Sequence, residues 1–438
     1  MAAPRLALIS KKIIKPSSPT PLSHRIQKLS LFDQLNPCSY MSLALFYPKQ
    51  CNSTLPFEPS HISTLLENSL SRALTSYYPL AGTIRDGLHV ECNDVGAEFL
   101  EAQIDCPMSE IFKHGSAEAE DLVFPAGVPW TPSKENLVVA QLNRFKCGGI
   151  AISACVSHKI VDGSSMGDFI THWSAMARNP CSPVPSFQFV GGSIFPPTSG
   201  HIAEAILNSK TRGNHHCITR KYLFSRSKIN SLKAMIATEL RTQSSNNIDP
   251  TSVEAASSFV YKCIASNSPR PSVFTQSVNL RPVMKKMLPQ EFQGNASFLF
   301  MAPQIEDPKE IKLHRLISEL RKEKEMYFSQ DWREPKDLVS AMFEKVMSLQ
   351  NQLERDDEDV DVYKCTSLSK FRFCDMDYGW GSPRRVCLGS VPINKKIMLM
   401  DNQNGDGLEV LVSLKEEDMS ALETNSELLQ FASPSLGL

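Results

Sequence analysis

The sequence predicts a mixed α/β protein built from two halves of similar size. Helical and strand-like patterns alternate along both halves, and a proline-rich stretch with little charge lies between them. The length of 438 residues also exceeds that of a typical single domain. Apolar residues make up 42% of the chain and charged residues 21%, so each half can bury a core of ordinary composition.

In the first half, apolar residues recur first at helical and then at strand spacing. A helix should begin at Pro59 and end before Pro79, because Ile62 and Leu66 belong to one apolar face. A second helix should begin at Ser164. Between the two helices, strands are expected over residues 88–92, 98–104, 137–145 and 149–156.

The second half shows the same kind of alternation after a break in the pattern. Residues 201–219 are expected to form a proline-stiffened crossover linker, so the two domains should span residues 1–200 and 220–438. Strand patterns occupy residues 222–224, 273–280, 385–388, 396–400 and 408–414. Helical patterns occupy residues 227–240, 252–264, 308–326, 336–353 and 415–431. The acidic run at 354–361 predicts a solvated loop.

Charge and motif content exclude several classes of protein. Lys and Arg number 46 against 47 Asp and Glu, a balance that argues against nucleic-acid binding and against a polybasic membrane anchor. No apolar run reaches the length of a membrane-spanning helix, and the N-terminus lacks an export signal. We therefore expect a cytoplasmic protein with reduced thiols. Its twelve cysteines lack zinc-site spacing, and the Walker A, GxGxxG and HExxH motifs are absent, so we expect no metal and no bound cofactor.

The densest chemical segment lies around His158. A buried-looking strand ends at this histidine, Asp162 follows four residues later, and a helix begins just beyond. A histidine at the end of a strand, beside a cleft, is well placed to act as a general base near neutral pH. The alternative is a packed histidine, with Asp162 capping the helix. In either case we expect Asp162 to cap or to form a salt bridge.

A second motif overlaps the first. Gly163, Ser165 and Gly167 match GxSxG, the nucleophile elbow of serine hydrolases. An elbow needs a strand that runs directly into the serine, whereas residues 158–162 intervene here. No HGGG oxyanion sequence lies upstream, and the later histidines lie in unsuitable places. A serine at a helix N-terminus is the alternative for Ser165.

The segment at 377–381, Asp-Tyr-Gly-Trp-Gly, predicts a tight and well-determined loop. Its first residue, Asp377, needs a cationic partner unless it faces solvent. Arg281, which follows a predicted strand, is the candidate. Such a pair would join two distant segments of the chain.

Together these residues resemble the plant BAHD acyltransferase family, whose members use acyl-CoA to acylate alcohols and amines. The resemblance spans nearly the whole chain, with the HxxxDG and DFGWG-like motifs in the family's order, and is closest to the alkaloid-type branch. Supporting stretches lie at residues 15–21, 31–34, 78–82, 279–281 and 294–295. Two departures are Tyr378, where the family usually has Phe, and Leu368, where a Trp is common.

The resemblance implies two chloramphenicol-acetyltransferase-like domains of mixed sheet plus helices, with a channel between them. Acyl-CoA, expected to be acetyl-CoA, would reach His158 from one face of the channel. A hydroxylated acceptor, such as an alkaloid or terpenoid, would reach it from the other. The family members that this chain resembles are mostly monomeric, so we expect a monomer.

The resemblance also implies roles for individual residues. His158 would be the general base of a direct transfer that needs no acyl-enzyme, and Thr366 or Asn295 would donate to the oxyanion. A serine esterase built on Ser165 and a non-catalytic ligand-binding relative remain the alternatives. The residues with expected structural roles are Asp162, Gly163, Arg281, Asp377, Gly379, Trp380 and Gly381.

Overall fold

The structure is a computed structural model that describes residues 4–49, 59–113, 117–128, 136–183, 185–197, 217–243, 249–342, 345 and 359–435. Within these ranges a six-stranded sheet and a seven-stranded sheet form the two halves of the molecule. A small third sheet joins β2 (Ile26–Lys28), β4 (Thr83–Arg85) and β5 (His89–Glu91). No helix in the described ranges combines the length and apolar character needed to cross a membrane.

The first sheet is covered on both faces. Its strands, in spatial order, are β1 (Leu6–Ile14), β6 (Ala97–Ile104), β7 (Val138–Phe145), β8 (Ile150–Ser157), β3 (Tyr40–Tyr47) and β13 (Arg385–Leu388). Helices Pro59–Ser76 and Gly163–Arg178 pack on one face, and the short helix Met108–Phe112 packs on the other. All eight residues of β8 are buried, which fits its largely apolar sequence.

The second sheet carries helices on one face. Its strands, in spatial order, are β11 (Ser297–Met301), β10 (Ser272–Asn279), β12 (Asp361–Ser367), β14 (Lys396–Asp401), β15 (Leu408–Lys415), β9 (Cys217–Phe224) and β16 (Ser433–Pro434). Helices Arg226–Gln243, Ser252–Ala265 and Leu313–Phe328 pack with one face of this sheet in a second core. Met398 and Leu411, on its other face, pack with the core of the first half.

The remaining helices are short. The α-helices are Leu31–Leu35, Ala117–Glu120, Gly191–Ile194, Glu416–Glu423 and Ser426–Phe431. The 3₁₀ turns are Leu22–His24, Tyr78–Ala81, Asp121–Val123, Pro308–Glu310 and Phe373–Asp375. A further helical stretch covers residues 335–342.

One strand crosses from the second half of the chain to the first sheet. Strand β13 pairs antiparallel with β3, so that Leu388 lies opposite Leu43. The preceding loop at 377–381 packs into the first core, where the Tyr378 ring stacks on Trp380. The prediction that residues 220–438 form one domain carrying this loop is therefore wrong for the segment around β13. The pairing joins residues more than 300 positions apart, which local patterns do not encode.

Most predicted elements are confirmed to within a few residues, with three exceptions. The final helix, predicted over 415–431, is two helices, because the Asn425 side chain accepts from the Leu428 amide and begins a second one. The helix predicted over 308–326 begins as a 3₁₀ turn, and its α-helical part starts at Leu313. Residues 217–219 belong to β9 rather than to a linker. Residues 198–216 and 346–358, which include the rest of the predicted linker, lie outside the described residues.

Candidate active site

His158 directly follows the last residue of β8, and its backbone is bonded from two sides. Its amide donates to the Ser39 carbonyl at 2.8 Å, just before β3. Its carbonyl accepts from the side-chain amide of Asn295 at 3.0 Å, from the second half. The imidazole is half-buried. The histidine therefore lies where the two halves meet, on a backbone that both of them hold.

Asp162 caps the helix Gly163–Arg178 and forms a salt bridge, as the sequence predicts. One oxygen accepts from the Ser165 amide at 3.0 Å, and the other accepts from the Ala296 amide at 2.9 Å. The Arg281 guanidinium donates to both oxygens, at 2.7 and 3.1 Å. Burial by itself would raise the pKa of the Asp162 carboxyl, but Arg281 and these amides hold it below its ordinary value.

The predicted pair of Asp377 with Arg281 is wrong. Asp377 accepts from the amides of Gly379 and Gly381, both at 2.8 Å, and its side chain lies 3.7 Å from Arg178. Both glycines have positive φ, at 114° and 94°, a backbone region that glycine adopts without strain. The reason is topological, since this loop packs into the first core while Arg281 follows β10 in the second sheet.

Ser165 cannot be reached by a substrate in this structure. Its side chain is buried, and its hydroxyl accepts from Arg281 and from the Gly294 amide, both at 3.0 Å. The same hydroxyl donates to the Gly294 carbonyl at 3.0 Å. These contacts leave the hydroxyl engaged in holding the 294–296 segment, which removes the support for a nucleophile elbow.

Asn295 is not available as a donor to an oxyanion. Its side-chain nitrogen donates to Asp33 at 2.8 Å and to the His158 carbonyl at 3.0 Å, so both amide hydrogens are used. Thr366 remains the candidate and is half-buried near the end of β12. Leu368, two residues after Thr366, packs against the loop that carries His158. A Cβ atom added to Gly163 of that loop would lie only 2.8 Å from a methyl carbon of Leu368. The end of β12 thus borders the loop that carries His158.

Cations on the second sheet share the strand face of Thr366. Tyr363 and Cys365 point into the helix-covered core, so the alternate residues Lys364 and Thr366 point the other way. Lys396 lies beside Lys364 in register and is half-buried, as Lys364 and Thr366 are. Burial lowers the pKa of Lys396 to about 8, and the charge of Lys364 acts in the same direction. No motif singles out these lysines, because their common face exists only once β12 and β14 pair.

Comparison with known proteins identifies the chain. The sequence model of the Transferase family matches residues 5–429. The chain belongs to the BAHD acyltransferase family. Akuammiline synthase 1 of Alstonia scholaris is 40% identical over 98% of this chain and 99% of its own length. Acyltransferase Pun1 of Capsicum frutescens is 38% identical over 97% and 98%, and deacetylvindoline O-acetyltransferase of Catharanthus roseus is 35% identical over 97% of both.

Solved structures agree with this assignment. Vinorine synthase superposes on this BAHD acyltransferase with a TM-score of 0.81, at 28% identity over 98% of the chain and 99% of that protein. TRI101 of F. sporotrichioides, crystallised with coenzyme A and T-2, has a TM-score of 0.71 at 17% identity, over 94% and 99%. The second likeness concerns the fold alone. The predicted α/β class of mixed sheets plus helices and the predicted acyltransferase class are confirmed.

Proposed function

We propose that this BAHD acyltransferase transfers an acyl group, acetyl foremost, from acyl-CoA to a hydroxyl group of a plant specialised metabolite such as an alkaloid or terpenoid. His158 is the general base. The observation that carries the proposal is the half-buried imidazole on a backbone bonded to Ser39 at 2.8 Å and to Asn295 at 3.0 Å, where the two halves meet. The enzyme acts as a cytoplasmic monomer, with the reaction in a channel between the halves.

The proposed transfer is direct. The imidazole of His158 takes the proton from the acceptor hydroxyl as that oxygen attacks the thioester carbonyl carbon. The carbonyl oxygen becomes an oxyanion, to which the Thr366 hydroxyl donates a hydrogen bond. The tetrahedral intermediate then collapses, the carbon–sulfur bond breaks, and the CoA thiolate takes the proton from the imidazolium. No acyl-enzyme forms, and His158 is neutral again at the end.

Three observations support acyl-CoA as the donor, and a fourth supports direct transfer. The relatives named above include an O-acetyltransferase, and the TRI101 structure contains coenzyme A. The half-buried Lys364 and Lys396 lie on the sheet face that also carries Thr366, where cations favour a co-substrate such as acyl-CoA that carries anionic phosphate groups. The Ser165 hydroxyl is engaged by Arg281 and Gly294, which favours direct transfer over a serine acyl-enzyme.

The experiment is a mass-resolved assay with acetyl-CoA and a mixed pool of hydroxylated alkaloids and terpenoids. Wild type, His158→Ala and His314→Ala are compared. His314 serves as the matched histidine control. It lies on the helix Leu313–Phe328 in the second half, and its side chain pairs with Glu239 of the helix Arg226–Gln243. We expect an acetyl-shifted product with wild type and with His314→Ala. Loss of His158 should lower the rate by about 10²–10⁴-fold.

Two outcomes would contradict the proposal. Full activity of folded His158→Ala would exclude His158 as the base. An absence of product together with no rise in melting temperature on adding acetyl-CoA would argue against acyl-CoA as donor, because a ligand that binds the native state stabilises it. A rise in melting temperature without product from any acceptor or acyl donor would favour the non-catalytic relative.

A further inference from the structure

A turn near the N-terminus binds the loop that carries His158. The short helix Leu31–Leu35 begins with a capping box in which Ser30 and Asp33 exchange hydrogen bonds at 2.7 and 3.0 Å. The capping box uses one oxygen of the Asp33 carboxylate. The other oxygen accepts from the side chain of Asn295 at 2.8 Å and from its backbone amide at 3.3 Å. Ser30, Asp33 and Asn295 are all buried.

Asn295 links Asp33 to His158 through its side-chain amide. Its nitrogen donates one hydrogen to Asp33 and the other to the His158 carbonyl, at 3.0 Å. The preceding residue, Gly294, has φ of 144° and binds the Ser165 hydroxyl through both its amide and its carbonyl. The backbone of Asn295 is thereby fixed, and so is the direction of its side chain. A continuous chain of bonds joins the Asp33 carboxylate to the peptide of His158.

The next residue of the loop is bonded to the other end of the same turn. The Lys159 ammonium is buried and donates to the carbonyls of Gln34 and Asn36, at 3.1 and 3.0 Å. These carbonyls lie at the C-terminal end of the short helix, where a cation is favourable. Lys159 is therefore fixed to the segment 30–36 through two direct hydrogen bonds, and His158 is joined to the same segment through Asn295.

We infer that Asp33 and Asn295 are positioning residues for the reaction, which fix the peptide of His158 and through it the place of the imidazole. The inference rests on the proposed role of His158 as general base. It assigns one role to the 31–34 and 294–295 stretches, because the fold brings Asp33 and Asn295 together beside the peptide of His158. Past the end of β8 the His158 amide still donates to the Ser39 carbonyl, whereas the His158 carbonyl accepts from the Asn295 side chain, so Asn295 holds the carbonyl side of this peptide.

The first test is Asn295→Ala, assayed with acetyl-CoA and an acceptor found by the mass-resolved assay. A displacement of about 1 Å in a catalytic group can cost about 10²-fold in rate, so kcat should fall to that extent while both KM values stay within about threefold. Asn143→Ala is the matched control. Asn143 is also buried, and it bonds the Val123 carbonyl and the Ser153 hydroxyl rather than His158. The control should lose stability and keep kcat.

A double swap separates positioning from stability. Asp33→Asn together with Asn295→Asp restores a hydrogen bond between the two side chains, with donor and acceptor exchanged. The carbonyl of His158 then faces a carboxylate instead of an amide donor. We expect the double variant to regain melting temperature relative to Asn295→Asp without regaining kcat. If Asn295→Ala does not fold, Asn295→Ser replaces it, because serine supplies one donor where asparagine supplies two.

His158→Ala, assayed beside these variants, distinguishes the possible failures. If His158→Ala keeps its activity, the proposed function loses its base and the inference falls with it. If His158→Ala is inactive but Asn295→Ala matches Asn143→Ala in kcat, the positioning role alone is overturned. Recovery of kcat in the double swap would also overturn it, since that variant leaves the His158 carbonyl without its donor.

Discussion

The Arg281 guanidinium donates to both oxygens of the Asp162 carboxylate, at 2.7 and 3.1 Å, across 119 residues of sequence. Asp162 begins the helix that follows His158, whereas Arg281 follows β10 of the second sheet. The pair therefore joins the two halves beside the histidine. The Arg281 guanidinium, which the sequence predicts as the partner of Asp377, is thus bound to Asp162 instead.

Arg281→Met should strongly destabilise the protein. The Asp162 side chain is 5% exposed, so the substitution leaves a buried carboxylate without its cation, a change that costs about 3–5 kcal/mol. Urea unfolding measures the loss. The matched control is Arg333→Met, since Arg333 is 78% exposed and binds Asp331 at the surface, where a pair contributes about 1 kcal/mol or less. Equal unfolding midpoints for the two variants would contradict the structural role of the pair.

Asp377→Ala should lower stability rather than stop the chemistry. Its carboxylate accepts from two partly buried backbone amides of the 377–381 loop, and leaving such donors unpaired costs about 1 kcal/mol or more. Thermal unfolding is the measurement. Arg178→Ala should have little effect, because Arg178 is 57% exposed and lies 3.7 Å from Asp377. An Asp377→Ala protein with wild-type melting temperature and no activity would place Asp377 in the reaction instead.

Tyr378→Phe, which restores the residue usual in the family, should leave stability unchanged or raise it by about 1 kcal/mol. The Tyr378 hydroxyl is buried and finds no hydrogen-bond partner among the described residues. Removing a buried hydroxyl that lacks a hydrogen-bond partner breaks no hydrogen bond. Tyr47→Phe is the matched comparison, because its hydroxyl donates to the Met376 carbonyl at 2.8 Å in the same aromatic cluster. Tyr47→Phe should lower the free energy of unfolding, measured by urea unfolding, by about 1 kcal/mol. Similar losses for both variants would show that Tyr378 is bonded in solution.

Glu254 should make stability depend on acid pH. It closes the capping box of the helix Ser252–Ala265 and binds Arg321 at 2.7 and 2.9 Å. Burial alone would raise the pKa of Glu254, but Arg321 and the Thr251 amide lower it to about 2. Because the pKa is lower in the folded state, the ionised Glu254 side chain stabilises the folded state at pH values above 4.5, the pKa of the unfolded chain. The contribution is about 3 kcal/mol, and it is lost as the pH falls from 4.5 toward 2.

The measurement is urea unfolding of wild type and Glu254→Gln between pH 7 and pH 3. The stability difference between them should be largest at pH 7 and should have fallen by roughly half at pH 3, because the unfolded carboxyl is then protonated while the folded carboxyl is still mostly ionised. A difference that stays constant over this range would mean that the Glu254 charge does not contribute.

Elements whose residues interact within a few positions were predictable. The helix that begins at Gly163 and its Asp162 cap follow from the local sequence, and so does the buried strand ending at Ser157. Strands β1 and β3 were among those missed, since no secondary structure was predicted for the chain before Pro59. The chain of bonds from Asp33 through Asn295 to His158 was also missed, because 137 residues separate Asn295 from His158.

The sequence by itself determined the family, the α/β class, and the placing of His158 at the end of a buried strand, because these depend on motifs and on periodicity along the chain. Only the tertiary structure decided that Arg281 binds Asp162, that Asn295 holds the His158 carbonyl and that β13 joins the first sheet. The physical reason is that such contacts depend on strand pairing and on the packing of the two halves. A side chain's local sequence gives its chemistry but does not specify which distant partner the fold brings to it.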